Sequence, residues 1–210
     1  ARRLIKKNGQ LILEVPDLNS LINKVGFDTI YHEHRHYFSE SSIFKLLKNQ
    51  GFNVYKIQKI NYMSGSLRVF SSMNTNKKIT NLQKISLKEF NLFKRKVNLT
   101  IEKIKDFVKK NGPIVGIGAA TKGNTLLNSC NFTDRDINFI MDKSKYKINK
   151  FTPGSGIKIL KEKKFNSSYS ALILPWNITK YLTKKKYFKK IKYTSIAKIT
   201  RNFKWLKKKK

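Results

Sequence analysis

The three histidines of the chain fall within five positions, in the run Tyr31-His32-Glu33-His34-Arg35-His36-Tyr37. An imidazole titrates near about 6.5, so this tract offers a general base at neutral pH. Glu33 could orient an imidazole, and Tyr31 and Tyr37 could donate hydrogen bonds to an oxygen that gains charge during a reaction. Other readings compete. A surface loop that happens to be rich in histidine would look the same. A metal site is weaker, because His32, His34 and His36 alternate and share a face only on a strand, and no second group of Cys, His or paired carboxylates completes a shell. Burial of the whole tract in a core would demand many polar partners.

A second chemical candidate is Gly116-Ile117-Gly118-Ala119-Ala120-Thr121-Lys122-Gly123-Asn124-Thr125. Placed at a strand-to-helix turn, its backbone N–H groups and the helix dipole suit an anion. The dinucleotide fingerprint requires glycine where Thr121 stands. The phosphate-loop pattern spaces Gly118 and Gly123 correctly but meets Asn124 at its lysine position. Asp142 lies where a ribose-binding acid belongs. Both a nucleotide site and a tight packing turn are compatible with these residues, with Lys122 and Asn124 as possible ligand contacts.

The elements around these candidates are legible in the pattern. Leu4 to Asn8, closed by Gly9, resembles a helix end, and Gln10 to Val15 reads as a strand stopped by Pro16. Ser39 is placed to cap a helix through Ile43, Phe44, Leu46 and Leu47, with Gly51 at its C-terminal cap. Phe52 to Ile60 and Ser66 to Ser71 read as antiparallel strands joined through Met63-Ser64-Gly65. Ser86-Leu87-Lys88-Glu89 is a capping-box pattern, and Phe90, Phe93, Val97, Ile101, Ile104 and Val108 extend it as a long helix to Asn111-Gly112-Pro113. Beyond it, a strand over Ile114–Gly118, a helix over Asn124–Cys130, and strands over Ile137–Met141, Ala171–Leu174 and Thr194–Ile199 predict a parallel α/β sheet.

Composition bounds the partners. With 40% hydrophobic and 12% aromatic residues the chain can build a core. The single cysteine, Cys130, excludes an internal disulfide framework and points to a reducing cytoplasm. No apolar run approaches the ~20 residues that cross a bilayer, so no membrane partner is expected. The net charge of +34 suits polyanions. Nucleic acid is nevertheless disfavoured as a partner, because the lysines are spread along the chain, arginine is scarce, and only Lys184–Lys186 and Lys207–Lys210 form basic blocks. An anionic small molecule, such as a nucleotide diphosphate, fits the same excess.

Several stretches together resemble the sugar C-methyltransferase family, in which an S-adenosylmethionine domain is followed by a Rossmann-like C-terminal domain. Phe27-Asp28-Thr29-Ile30-Tyr31-His32-Glu33-His34 with Tyr37-Phe38-Ser39 is similar to that family's active-site segment. Ser64-Gly65-Ser66-Leu67-Arg68-Val69 is similar to its Gly-Gly-Ser-Leu-Arg strand. Gly118 to Asn128, Lys150-Phe151-Thr152-Pro153-Gly154 and Leu174-Pro175-Trp176-Asn177 resemble later signatures, in the family's order. The resemblance implies an α/β fold: a partial class I methyltransferase sheet with the active-site segment over 1–75, a long helical connector over 76–112, and a Rossmann-like parallel α/β substrate domain over 113–210.

It also implies chemistry at a carbon beside the ketone of a nucleotide-linked keto sugar, with S-adenosylmethionine as co-substrate and no metal. His34 corresponds to the general base, and Tyr31 and Glu33 to its hydrogen-bonding partners. His32 corresponds to a support, while Arg35 and His36 depart from the small or apolar residues usual there. Lys122, Asn124, Trp176 and Asn177 are candidate substrate contacts, against a plain core role for the indole. The glycine-rich donor motif is expected upstream of Ala1, so these residues by themselves are expected neither to bind the donor tightly nor to turn over. A basic nucleic-acid-binding module and an NAD-dependent sugar-nucleotide enzyme are the alternatives. Oligomeric state is not indicated.

Overall fold

The computed structural model describes residues 1–6, 8–61, 64–76, 79–163, 168–184 and 190–201. The chain forms two compact units, one of Ala1–Gly26 and His32–Phe93, the other of Phe27–Tyr31 and the residues from Lys94 on.

The first unit is built on three strands, β1 (Gln10–Pro16), β2 (Asn53–Ile60) and β3 (Ser66–Ser72), in the order β1-β3-β2. Both outer strands run antiparallel to β3, so β1 and β2 are parallel to each other and need a crossover, which contains α1 (Leu18–Lys24) and α2 (Glu40–Asn49). Ile43 and Leu47 of α2 pack with Phe52, Val54, Leu67 and Val69 to make this unit's core. Glu14 faces Arg68 across the β1–β3 register. Arg68 donates from Nε (3.0 Å) and Nη2 (2.8 Å) to one oxygen of Glu14, and the Ser66 hydroxyl donates to the other at 2.6 Å. The Ser66 hydroxyl and the Arg68 guanidinium hold the Glu14 carboxyl below its ordinary range.

The expected cap of α2 forms. The Ser39 hydroxyl accepts from Ser42 N at 3.1 Å, and Ser42 Oγ accepts from Ser39 N at 2.9 Å. At the other end Gly51 takes the left-handed conformation, φ +79°, while Phe52 N donates to Leu47 O and Gly51 N to Lys48 O. The strands over 52–60 and 66–71 pair antiparallel as expected, with a bulge between Val54 and Lys56; residues 62–63 of their connection lie outside the described residues. No helix precedes β1 among the described residues: Leu4 N and Ile5 N both bond back to Ala1 O, giving one turn, with Lys7 outside the description.

Helix α3 (Leu87–Asn111) starts at the expected capping box, in which Ser86 N donates to Glu89 Oε2 (2.8 Å) and Glu89 N to Ser86 Oγ (3.2 Å). The second unit is a five-stranded sheet, all parallel, in the order β6-β5-β4-β7-β8: β4 (Ile114–Ile117), β5 (Phe139–Asp142), β6 (Ile159–Lys161), β7 (Ser170–Ile173) and β8 (Tyr193–Thr194). The α/β expectation is met here. β4 and β7 are buried at every position, as befits central parallel strands covered on both faces. Val115, Ile117, Met141, Ala171, Ile173, Leu182 and Ile191 form one core cluster.

Two local expectations are corrected, and one strand is added. α4 spans Thr121–Ser129 and so begins ahead of Asn124, because Gly118 at φ +82° reverses the chain directly after β4. The segment Thr194–Ile199 is not one strand. It pairs only through Tyr193–Thr194, after which Ser195 Oγ accepts from Lys198 N at 3.2 Å and starts α6 (Ile196–Thr200). β6, which the sequence pattern did not reveal, adds a three-residue edge strand beside β5. α5 (Thr179–Leu182) follows β7. Of the basic blocks, Lys185, Lys186 and Lys207–Lys210 lie outside the described residues.

Candidate functional site

The histidine tract leaves one unit and enters the other. At its front, the 3-10 turn Phe27–Thr29 belongs to the second unit, and Tyr31 N donates to Thr29 O at 3.1 Å. At its back, Phe38 is fixed in the first unit at the end of β1, donating from its N to Pro16 O (3.1 Å) while its carbonyl accepts from Leu18 N (3.0 Å). Tyr31 and His34 are half-buried, and His32, Glu33 and His36 are exposed. The His34 ring lies 6.1 Å from that of Tyr37, and His36 lies 6.2 Å from Phe38. Glu33 Oε1 meets His32 Nε2 at 4.0 Å. The tract adopts no strand over positions 32–36, so its alternate histidines share no sheet face. Among the described residues no group of three or more His, Cys, Asp or Glu converges as a metal-ligand set.

The second unit gathers most of the remaining candidates at the C-terminal ends of β4 and β7. Lys122 stands in the first turn of α4, after β4; Trp176 and Asn177 stand on the 3-10 turn Trp176–Ile178, after β7. The Lys122 ammonium donates to Asn177 Oδ1 and lies 4.8 Å from the centroid of the Trp176 ring, over its face. Asn124 is separate. No hydrogen bond joins its side chain to the other three among the described residues, and its Oδ1 is buried without a partner. The core role weighed for the indole does not hold in full, since Trp176 is half-buried and its nitrogen is used.

That nitrogen reaches a residue the sequence reading did not single out. Trp176 Nε1 donates to Asp28 Oδ2 at 2.7 Å. Asp28 is fully buried, at 0% exposure, and its other oxygen, Oδ1, has no hydrogen-bond partner among the described residues. Burial pushes the Asp28 carboxyl up to about 7, against the pull of the Lys122 charge and the indole hydrogen bond. Burial also lowers the Lys122 ammonium, and the Asp28 charge opposes that. The two groups thus sustain one another's ionisation in a poorly solvated place. One signal for Asp28 existed in the sequence: a carboxylate set within the apolar run Val25-Gly26-Phe27 and Thr29-Ile30.

The glycine-rich turn is occupied by the protein itself. Ala119 N donates to Asp142 Oδ2 at 2.7 Å, Ser144 N donates to Asp142 Oδ1 at 2.8 Å, and Lys147 Nζ donates to Ala119 O at 2.7 Å. Asp142, the candidate ribose acid, thereby spends both oxygens on backbone. A Cβ on Gly118 would stand 2.8 Å from Pro175 Cγ, and one on Gly123 would stand 2.6 Å from Leu174 Cβ. These glycines serve close packing of the turn and of α4 against the segment after β7. Ala119 N and both Asp142 oxygens are thus spent within the protein, which removes them as contacts for a dinucleotide.

A family model described as the C-methyltransferase C-terminal domain matches residues 62–196. The chain belongs to that family. Within the C-methyltransferase C-terminal domain so defined lie Lys122, Asn124, Trp176 and Asn177; the histidine tract and Asp28 precede it. The chain is also 30% identical over 172 residues to the C-methyltransferase NovU of Streptomyces niveus, a match covering 74% of this chain and 41% of that protein. It therefore spans less than half the length of the curated relative it matches.

Proposed function

We propose that the protein to which these residues belong is an S-adenosylmethionine-dependent C-methyltransferase acting on a nucleotide-linked keto sugar. The observation that carries the reading is the convergence of Lys122, Trp176 and Asn177, from the ends of two separate strands, within a C-methyltransferase C-terminal domain. Open parallel sheets bind ligands beyond the carboxyl ends of their strands, which is where this cluster stands. An indole face, an amide and a cation suit a nucleotide sugar, with its stacking base or sugar ring, its hydroxyls and its diphosphate.

A carbon next to a ketone loses a proton when its electron pair can pass to the carbonyl oxygen. His34 takes that proton on a ring nitrogen, Tyr31 donates its hydroxyl hydrogen bond to the oxygen as it becomes an enolate, and Glu33 orients the tract. S-adenosylmethionine supplies the electrophilic methyl group that the enolate carbon takes up. The similarity to NovU, a named C-methyltransferase, supports this class of reaction.

Deuterium incorporation in heavy water tests the base without the donor. The full-length protein, given a nucleotide-linked 4-keto-6-deoxy sugar, should exchange the hydrogen beside the ketone, and with donor present should transfer a methyl group to the same carbon. His34→Ala should slow both by roughly 10²- to 10⁴-fold, the usual worth of a positioned base. Exchange at the wild-type rate in His34→Ala would remove His34 from the mechanism.

A further inference from the structure

We propose that Asp28 is a positioning residue of the nucleotide-sugar site: its buried carboxylate fixes the Trp176 indole through Nε1 and holds the Lys122 ammonium over that indole, so that substrate binding depends on its charge. The inference rests on the substrate reading above and adds to it a residue outside the matched domain.

The geometry distinguishes this from simple anchoring. A carboxylate that only tied the turn Phe27–Thr29 to the second unit could be replaced by a neutral amide, which accepts from an indole equally well and is easier to bury. Asp28 instead keeps an acid where water is excluded, with one oxygen on Trp176 Nε1 at 2.7 Å and the other unpartnered. The charge that answers it belongs to Lys122 of α4; the turn after β7 brings Trp176 and Asn177, neither of which titrates. Raised carboxyls beside a specific cation concentrate at functional sites. Without the Asp28 charge, burial acts on Lys122 unopposed, and the ammonium loses the anion that draws it to its place over the ring. A substrate anion would then lose a charge-assisted donor.

The test uses the full-length protein, with dTDP-glucose and UDP-glucose as calorimetric probes and the 4-keto sugar nucleotide for kinetics. Asp28→Asn should raise KM and the probe Kd by about ten- to a hundredfold, the worth of a hydrogen bond to a charged group. It should leave kcat within about threefold and should melt no lower than wild type at pH 8. Asp28→Asn combined with Lys122→Met should bind no more weakly than Lys122→Met alone, because Asp28 acts through that lysine. Trp176→Phe, which removes the indole donor and shrinks the ring face, should weaken the probe in the same sense. Independent multiplication of the Asp28 and Lys122 effects, or wild-type affinity in Asp28→Asn, would overturn the inference while leaving the substrate reading in place. A wild type that binds neither probe and transfers no methyl group would remove both.

Discussion

Below about pH 4 the Asp28 carboxyl carries its proton whether the chain is folded or not, and above about pH 7 it has released it in both states. Between these values the unfolded chain has ionised, at the ordinary aspartate value near 3.9, while the folded chain still holds the proton. Stability contributed by this group is therefore complete below pH 4 and lost as pH rises to about 7. We expect the unfolding free energy of wild type, measured against Asp28→Asn, to fall steadily through that window, with a slope of at most about 1.4 kcal/mol per pH unit. A difference that stays flat from pH 4 to pH 8 would mean that Asp28 ionises as freely as in water. At this scale the sequence announced the histidine tract and the cluster residues Lys122, Trp176 and Asn177. Of Asp28 it showed only a lone carboxylate in a mostly apolar stretch, because nothing in a run of types shows that this carboxylate will meet an indole 148 positions away. Cys130 behaves as a small core residue, its thiol pushed up to about 12 by burial.

Among the elements, α4 depends on Gly123. A methyl group there would fall 2.6 Å from Leu174 Cβ, an atom too close to the backbone to swing aside, so α4 must lift from the segment that carries Trp176. Gly123→Ala should destabilise the second unit by about 1–3 kcal/mol, as overpacking does, read as a lower denaturant midpoint at unchanged m-value. It should also weaken nucleotide-sugar binding, since Lys122 lies on the same helix turn; unaltered stability would show that α4 has room to move. Helix α3 shows where sequence periodicity fails. Its N-terminal capping box was legible, but of the apolar line Phe90, Phe93, Val97, Ile101, Ile104 and Val108 only the last two are buried: Phe90 is 45% exposed, and Lys96 and Thr100 complete the buried face. Thr100 settles its hydroxyl on Lys96 O at 2.7 Å, and a lysine stem can lie along a buried face while its head finds a polar partner.

For the whole molecule, 46 basic residues against 12 acidic ones set a large self-repulsion. Among the described residues the acids that meet a basic side chain, such as Glu14 with Arg68 and Glu40 with Lys59, leave most lysines facing solvent. Salt shortens the reach of such repulsion to about 10 Å at 0.1 M. We expect the melting temperature to rise between low salt and about 0.2 M sodium chloride. A protein whose surface pairs were its main electrostatic support would instead lose stability, and that outcome would point to ion pairing over net charge. No helix among the described residues is long and apolar enough to cross a membrane.

By itself the sequence determined the α/β class, the caps of α2, the capping box of α3, the antiparallel pairing of β2 with β3, and the family, because these rest on local periodicity, turn chemistry and runs of matching motifs. Tertiary structure decided what those residues do to one another. It showed that β3 inserts between β1 and β2, and that Asp142 closes the glycine-rich turn through Ala119 N. It also drew Asp28, Lys122, Trp176 and Asn177 into one cluster. Strand order, the burial of a charge and the partner of a hydrogen bond depend on residues distant in the chain, and no local pattern encodes which of them will arrive.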